Sequence, residues 1–193
     1  MSSRLCLRNR QRLRSIDLPL LRRIISALLE DLLPARHFDL AIHLVRAPEI
    51  TRLNETFLHH EGATDVITFD YAGQAGPAAG QLPQPPKDQS SPPSSRRLPG
   101  RRFPEARGSD AAALVRGELF VCLDEAVGQC GRFNTFWESE LVRYVVHGLL
   151  HLLGFDDRQP AARRQMKREE DRLLTQLAER FPFRRLGKTR PAG

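Results

Sequence analysis

Lysine is scarce in this chain of 193 residues: only Lys87, Lys167 and Lys188 are lysines among 30 cationic side chains, and the rest are arginine. Cysteine is scarce as well. Cys6, Cys122 and Cys130 are odd in number and form no C-x-x-C pair, which excludes a disulfide scaffold and fits a reducing compartment. No stretch approaches the roughly 20 apolar residues that a bilayer crossing needs. The most apolar early run, Leu18 to Leu33, is broken by Arg22, Arg23, Glu30 and Asp31, so the basic start does not lead into a secretory leader. The expectation is a soluble, cytoplasmic protein with no membrane association. Its 30 cations against 23 acids give +7, a balance that favours an anionic partner, nucleic acid first and membrane surface second.

That charge is unevenly spread. Residues 1–14 hold five arginines and no acid, and residues 180–193 hold five cations and no acid. Residues 72–116 hold seven cations and three acids, leaving the rest of the chain at −7. The same 72–116 segment contains eight of the 14 prolines, five glycines and the run Ser90-Ser91-Pro92-Pro93-Ser94-Ser95. Such a composition cannot bury enough apolar surface to fold and reads as a disordered insertion. The domain expectation is therefore a basic segment 1–14, one domain 15–179 interrupted at 72–116, and a basic tail 180–193.

The folded parts alternate in type. Ser15 or Asp17 can cap a helix with Pro19 in its first turn, where Leu20, Ile24, Leu28 and Leu32 recur at helical spacing. Asp39 to Val45 alternates as a strand with Leu40, Ile42 and Leu44 on one face. Pro48 to Leu58 reads as a helix, Asp65 to Asp70 and Gly117 to Leu123 as strands, and Asp124 to Gln129 as a short helix. A long apolar helix spans 136–153 and a charged amphipathic one spans Gln159 to Glu179. Central strands with helices around them predict an α+β fold with a small mixed sheet.

The chemistry concentrates in His147-Gly148-Leu149-Leu150-His151-Leu152-Leu153-Gly154-Phe155-Asp156-Asp157. His147 and His151 lie one helical turn apart on one face and can share a metal ion. Gly154 can stop the helix in a left-handed turn, so that Asp156 or Asp157 swings back as a third ligand. Three protein ligands leave a fourth position open, the catalytic rather than the structural zinc arrangement. A zinc peptidase needs a Glu after the first His, and this chain has Gly148 there. Gly187-Lys188-Thr189 is no P-loop, because Pro182 sits where the first glycine belongs. Phe133, Phe136 and Trp137, at the start of the long helix, read as core rather than as a base-stacking platform.

This stretch resembles the H-G-x-L-H-L-x-G-x-D-H signature of the YbeY family of bacterial rRNA-maturation endoribonucleases. Leu53-Asn54 and Thr64-Asp65-Val66-Ile67-Thr68-Phe69 are similar to the family's L-N…T-D-V-L-S-F block. Gly117-Glu118-Leu119-Phe120-Val121 resembles its G-D-I-x-I strand, and Met166 with Glu169 its downstream helix. The resemblance covers most of residues 36–179. It implies one zinc ion held by His147, His151 and the residue at the third histidine's place, here Asp157. Two histidines and a carboxylate also suit ferrous iron or another divalent ion. The family's arginine four residues after the Asn is replaced by Leu58, followed by His59 and His60.

The activity so implied is metal-dependent, single-strand-specific cleavage of precursor (16S) rRNA, with ribosomal subunits as partners. His60 and Asp65 are the catalytic candidates, and Thr64 and Asp65 the substrate-binding ones. For Thr64 and Asp65 the structural alternative is a turn closing before a β-branched run. Two other functions compete: a ribosome-associated assembly factor with a structural or vestigial metal site, and a metallopeptidase.

Overall fold

The computed structural model describes residues 3–33, 35, 37–72 and 114–187. Strands β1 (Arg4–Asn9), β2 (His37–Val45), β3 (Val66–Asp70) and β4 (Leu114–Cys122) form one sheet in the order β1-β2-β4-β3. β2 runs parallel to β1 and β4, while β3 is antiparallel to β4. Among the described residues five α-helices surround it: α1 (Leu18–Ala27), α2 (Ala47–Leu53), α3 (Leu123–Phe133), α4 (Trp137–Leu152) and α5 (Pro160–Arg180). The fold is α+β with a mixed sheet.

Alternation along the strands separates two cores. Leu40, Ile42 and Leu44 of β2 join Leu119 and Val121 of β4 in the larger one, against α1, α4 and α5. Val45, Phe120, Cys122 and Ile67 form the smaller one on the other face, against Ile50 and Leu53 of α2. Asp17, rather than Ser15, caps α1 by accepting the Leu20 N–H at 3.0 Å. The expected helices through Leu32 and Leu58 each end earlier, in π-helical turns at Leu28–Leu32 and Asn54–Leu58.

The ends of the domain lie further out than the charge pattern implied. Within residues 1–14, Arg4–Asn9 is an edge strand with Leu5 and Leu7 packed on the core. Arginines at the ends of such a strand discourage pairing with a second chain. Within residues 180–193, Arg180 ends α5 and Phe183–Leu186 forms a 3₁₀ turn. Leu186 is fully buried and its carbonyl accepts the Asp17 N–H at 2.8 Å. Leu114 to Arg116, placed by composition in the insertion, begin β4. The remainder of that insertion, 73–113, and residues 188–193 lie outside the described residues.

α4 crosses β3 and β4 through small residues. A Cβ on Gly148 would lie 2.8 Å from Leu119 Cδ2 and 3.1 Å from Val66 Cγ2. At Gly117 it would run into the Phe69 carbonyl on β3 and meet Leu152 of α4 at 3.0 Å. Gly117→Ala should therefore destabilise the protein by about 1–3 kcal/mol, as overpacking does. The thermal midpoint should drop by several degrees, and an unchanged midpoint would show that β3 and β4 separate without cost.

Candidate metal centre

α4 presents His147 and His151 at its C-terminal end, both half-buried. The helix stops as the sequence predicts. Gly154 has φ of +91°, and the Phe155 N–H returns to the Leu150 carbonyl at 3.0 Å. A left-handed φ at this position suits glycine. The reversal brings a carboxylate oxygen of Asp157 to the two imidazoles, and the ligating atoms of His147, His151 and Asp157 lie within 4.8 Å of one another. Asp156 points elsewhere, accepting the Arg158 N–H at 3.0 Å.

Each imidazole is held from behind. His147 Nδ1 lies 3.0 Å from Glu170 Oε2, and His151 Nδ1 lies 3.1 Å from the Phe155 carbonyl oxygen. A carboxylate and a carbonyl can only accept, so both Nδ1 atoms carry the proton. In neutral rings this leaves both Nε2 atoms as lone pairs, and they face each other at 3.1 Å. Two lone pairs that close repel unless a cation or a proton lies between them. The donor set therefore fits a divalent metal ion.

The two rings differ in their affinity for a proton. Burial disfavours charge on His147, but the Glu170 carboxylate outweighs it, helped by Asp65 and Asp157, and the pKa rises. Burial and the neighbouring His147 lower that of His151. Glu170 is itself buried, with Arg143 Nη1 and Lys167 Nζ each 2.9 Å from its Oε1. Burial alone would raise its pKa. The hydrogen bonds from His147, Lys167 and Arg143 overcome that and hold it at about 2.

The other candidates are placed as follows. Asp65 Oδ1 accepts from the Val66 N–H at 2.9 Å and from Thr64 Oγ1 at 3.0 Å, closing the turn into β3. Its charge nevertheless reaches His147. His59 adopts a left-handed φ of +56°, and His60 is exposed, its N–H reaching the Asn54 carbonyl at 3.4 Å. Among the described residues, no contact joins the His60 side chain to the three ligating atoms. Asn54 is buried and its Nδ2 pins the Gly62 carbonyl at 2.9 Å, so it shapes this loop. Leu58 stands 46% exposed. Trp137 packs against the core, whereas Phe136 is exposed beneath Arg184.

A model of the family described as "Endoribonuclease YbeY" matches residues 7–178. The chain belongs to the YbeY endoribonuclease family. A Salinibacter ruber protein named endoribonuclease YbeY is 33% identical over 135 residues, 70% of this chain and 68% of the relative. One of the same name from Chlorobium phaeobacteroides is 34% identical over 128 residues, 66% of this chain and 65% of the relative. The match thus spans about two thirds of each relative. The solution structure of a Thermotoga maritima protein superimposes with a TM-score of 0.54 at 18% identity, covering 98% of this chain and 99% of that one. It shares the fold.

Glu169, which with Met166 resembles the family's downstream helix, pairs with Arg172 on the surface. Glu170 is the acid that reaches His147. The signal for it was present: Met166, Glu170, Leu173 and Leu177 are the buried face of α5, and an acid in an apolar stripe needs a partner. Glu170→Gln tests the pairing in metal-free protein. Glu170 stabilises the fold above its ordinary value of 4.5 and loses this as pH falls towards 2. Protonated His147 stabilises it below about 6.5 and loses this as pH rises through its elevated pKa. Urea unfolding should show a deficit of up to about 3 kcal/mol in the variant. It should be largest near pH 5 and shrink on both sides, whereas a pH-independent deficit would refute the pairing.

Proposed function

We propose that this YbeY-family chain is a single-strand-specific endoribonuclease of precursor rRNA, working with one divalent ion held by His147, His151 and Asp157. The observation that carries the reading is the pair of Nε2 lone pairs converging at 3.1 Å, each imposed by a hydrogen bond to the opposite nitrogen. Zinc is the first choice of ion and ferrous iron the second, since imidazole and carboxylate donors suit both. When bound, the ion supplies Lewis-acid charge at a phosphodiester oxygen and acidifies water at neutral pH.

The chain's own residues do the rest. Glu170 and the Phe155 carbonyl keep His147 and His151 as neutral Nε2 donors aimed at one point. Such supporting contacts commonly matter for metal affinity by 10–100-fold. Asp157 contributes a negative charge where the family signature has a third histidine, which makes the ion a weaker Lewis acid. Asp65 is close enough for its charge to act on His147, so it is the first candidate to orient a ligand or contact ribose. Thr64 is its hydrogen-bonded neighbour, and His60 is the candidate proton carrier of the adjoining loop. Single-stranded RNA is recognised through its phosphates and splayed bases, and rRNA maturation places the protein in the cytoplasm beside ribosomal subunits. Among the described residues, no helix is long and apolar enough to cross a membrane.

A ribosome-associated assembly factor with a structural metal is the second reading, favoured by exposed Leu58 in the arginine's place. A metallopeptidase is not supported, because the position of its glutamate base is occupied by Gly148, packed on Leu119 and Val66.

Wild-type protein should hold one divalent ion and cleave single-stranded precursor rRNA. His151→Ala should lose the ion and at least about 100-fold in cleavage, as should chelator treatment. Elemental analysis and gel assays on the same preparations decide it. A metal-free wild type, or cleavage indifferent to both treatments, would defeat the proposal. Subunit binding without cleavage would favour the assembly factor. Asp157→His should raise zinc affinity relative to ferrous iron, measured by competition between the two ions.

A further inference from the structure

The first turns of α5 carry a cation whose position the proposed reaction has not used. Arg163 is exposed, and its Nε donates to the backbone carbonyl of Asp157 at 2.8 Å. Asp157 is the residue whose carboxylate completes the ligating trio. Seven residues make about two helical turns, so Arg163 lies on the same face of α5 as Glu170. Helix α5 thus touches two of the three ligating residues, gripping His147 through Glu170 and the Asp157 backbone through Arg163.

With Nε committed, the two terminal nitrogens of the guanidinium keep four N–H donors. Among the described residues no carboxylate pairs with Arg163, although Arg158 nearby is turned to Asp156 at 3.4 Å. The Nε bond also fixes the plane of the fork, so less freedom is lost when an anion docks. A planar pair of N–H groups facing solvent at the rim of a metal centre matches one chemistry above others, the two non-bridging oxygens of a phosphodiester.

We infer that Arg163 is a substrate-binding residue that holds an RNA backbone phosphate at the rim of the metal centre. This rests on the endoribonuclease reading above. The arginine makes its contact from α5, a different element from the loop that carries Leu58, His59 and His60. It binds the strand before and during the reaction alike, so its loss should appear in KM more than in kcat.

The experiment uses the full-length, metal-loaded protein with Arg163→Ala, Arg163→Lys and Arg168→Ala, cleaving one single-stranded precursor rRNA fragment over a range of salt. Arg168 is exposed and two residues from Glu170, hence on the far side of the helix, and its variant removes the same charge. Arg163→Ala should lose roughly tenfold in kcat/KM, mostly through KM. Its salt slope should fall by about 0.7, as for one lost phosphate contact on a single strand. Arg163→Lys should lie between, because it keeps the charge but not the fork. Arg168→Ala should match wild type, and all four proteins should bind the same amount of metal.

Equal KM and salt slope for Arg163→Ala and wild type would overturn the assignment while leaving the endoribonuclease reading intact. Loss of metal in Arg163→Ala would also overturn it, reducing Arg163 to a brace for Asp157. Equal losses in Arg163→Ala and Arg168→Ala would mean only diffuse charge attraction. A wild type that does not cleave the fragment would remove both readings together.

Discussion

The distance between α4 and the sheet is the constraint on which the candidate metal centre depends. Gly148 lets the helix settle onto Leu119 and Val66, and its two neighbours at one-turn spacing are thereby carried to the rim at a set depth. A larger residue there would lift the helix and both imidazoles together. The third candidate ligand is placed by the same helix, because Gly154 reverses the chain immediately after it. Two of the three candidate ligands thus stand on a rigid element packed in the core, and the third stands one short turn away. Sites built in this way hold their geometry better than sites assembled from loops.

Packing sets the depth, but it does not choose which nitrogen faces the ion. That choice is made by acceptors behind the rings, one from the turn and one from α5. Burying Glu170 as an anion is costly unless it is paired, and Arg143, Lys167 and His147 all direct protons at it. Lys167 lies on α5 itself, but Arg143 and His147 reach Glu170 only when α5 is docked on α4, so helix docking and orientation of the His147 ring are one event. This explains why a helix with an otherwise charged surface carries a carboxylate in its apolar stripe between Met166 and Leu173.

Local patterns in the sequence reached much of this. The one-turn histidine spacing, the glycine stop and the returning aspartate each follow from the geometry of a single helix, and the helix itself spans Trp137–Leu152 against an expected 136–153. Features that depend on distant partners were less visible. β1 was hidden because its arginines outweigh Leu5 and Leu7, and only its pairing with β2 makes it a strand. Leu186 looks like part of a basic tail until Asp17, far off in sequence, is seen to donate to its carbonyl. Glu170 was masked by the abundance of charge on α5. The choice of Asp157 over Asp156 came from the register of the family signature rather than from helix geometry, and the structure turns Asp156 towards Arg158. The π-helical turns at the ends of two expected helices have no comparable signature.

The net charge of +7 acquires a different meaning once its arginines are located. Arg10 pairs with Glu49 at 2.8 Å, Arg180 pairs with Asp31, and Arg184 lies 3.9 Å over the ring of Phe136. These cations were counted as basic fringe, yet they tie the ends of the chain to its body, and much of their charge is spent within the fold. A bound RNA strand meets whichever guanidinium groups remain unpaired and fixed in direction. Composition alone cannot separate the two kinds, because an arginine bracing the fold and one offered to a phosphate are identical in a count. Tethering separates them: Arg163 is exposed, and its Nε is tied to the backbone carbonyl of Asp157. The preference for arginine over lysine follows the same logic, since a point charge on a flexible stem can do neither job as well as a planar fork.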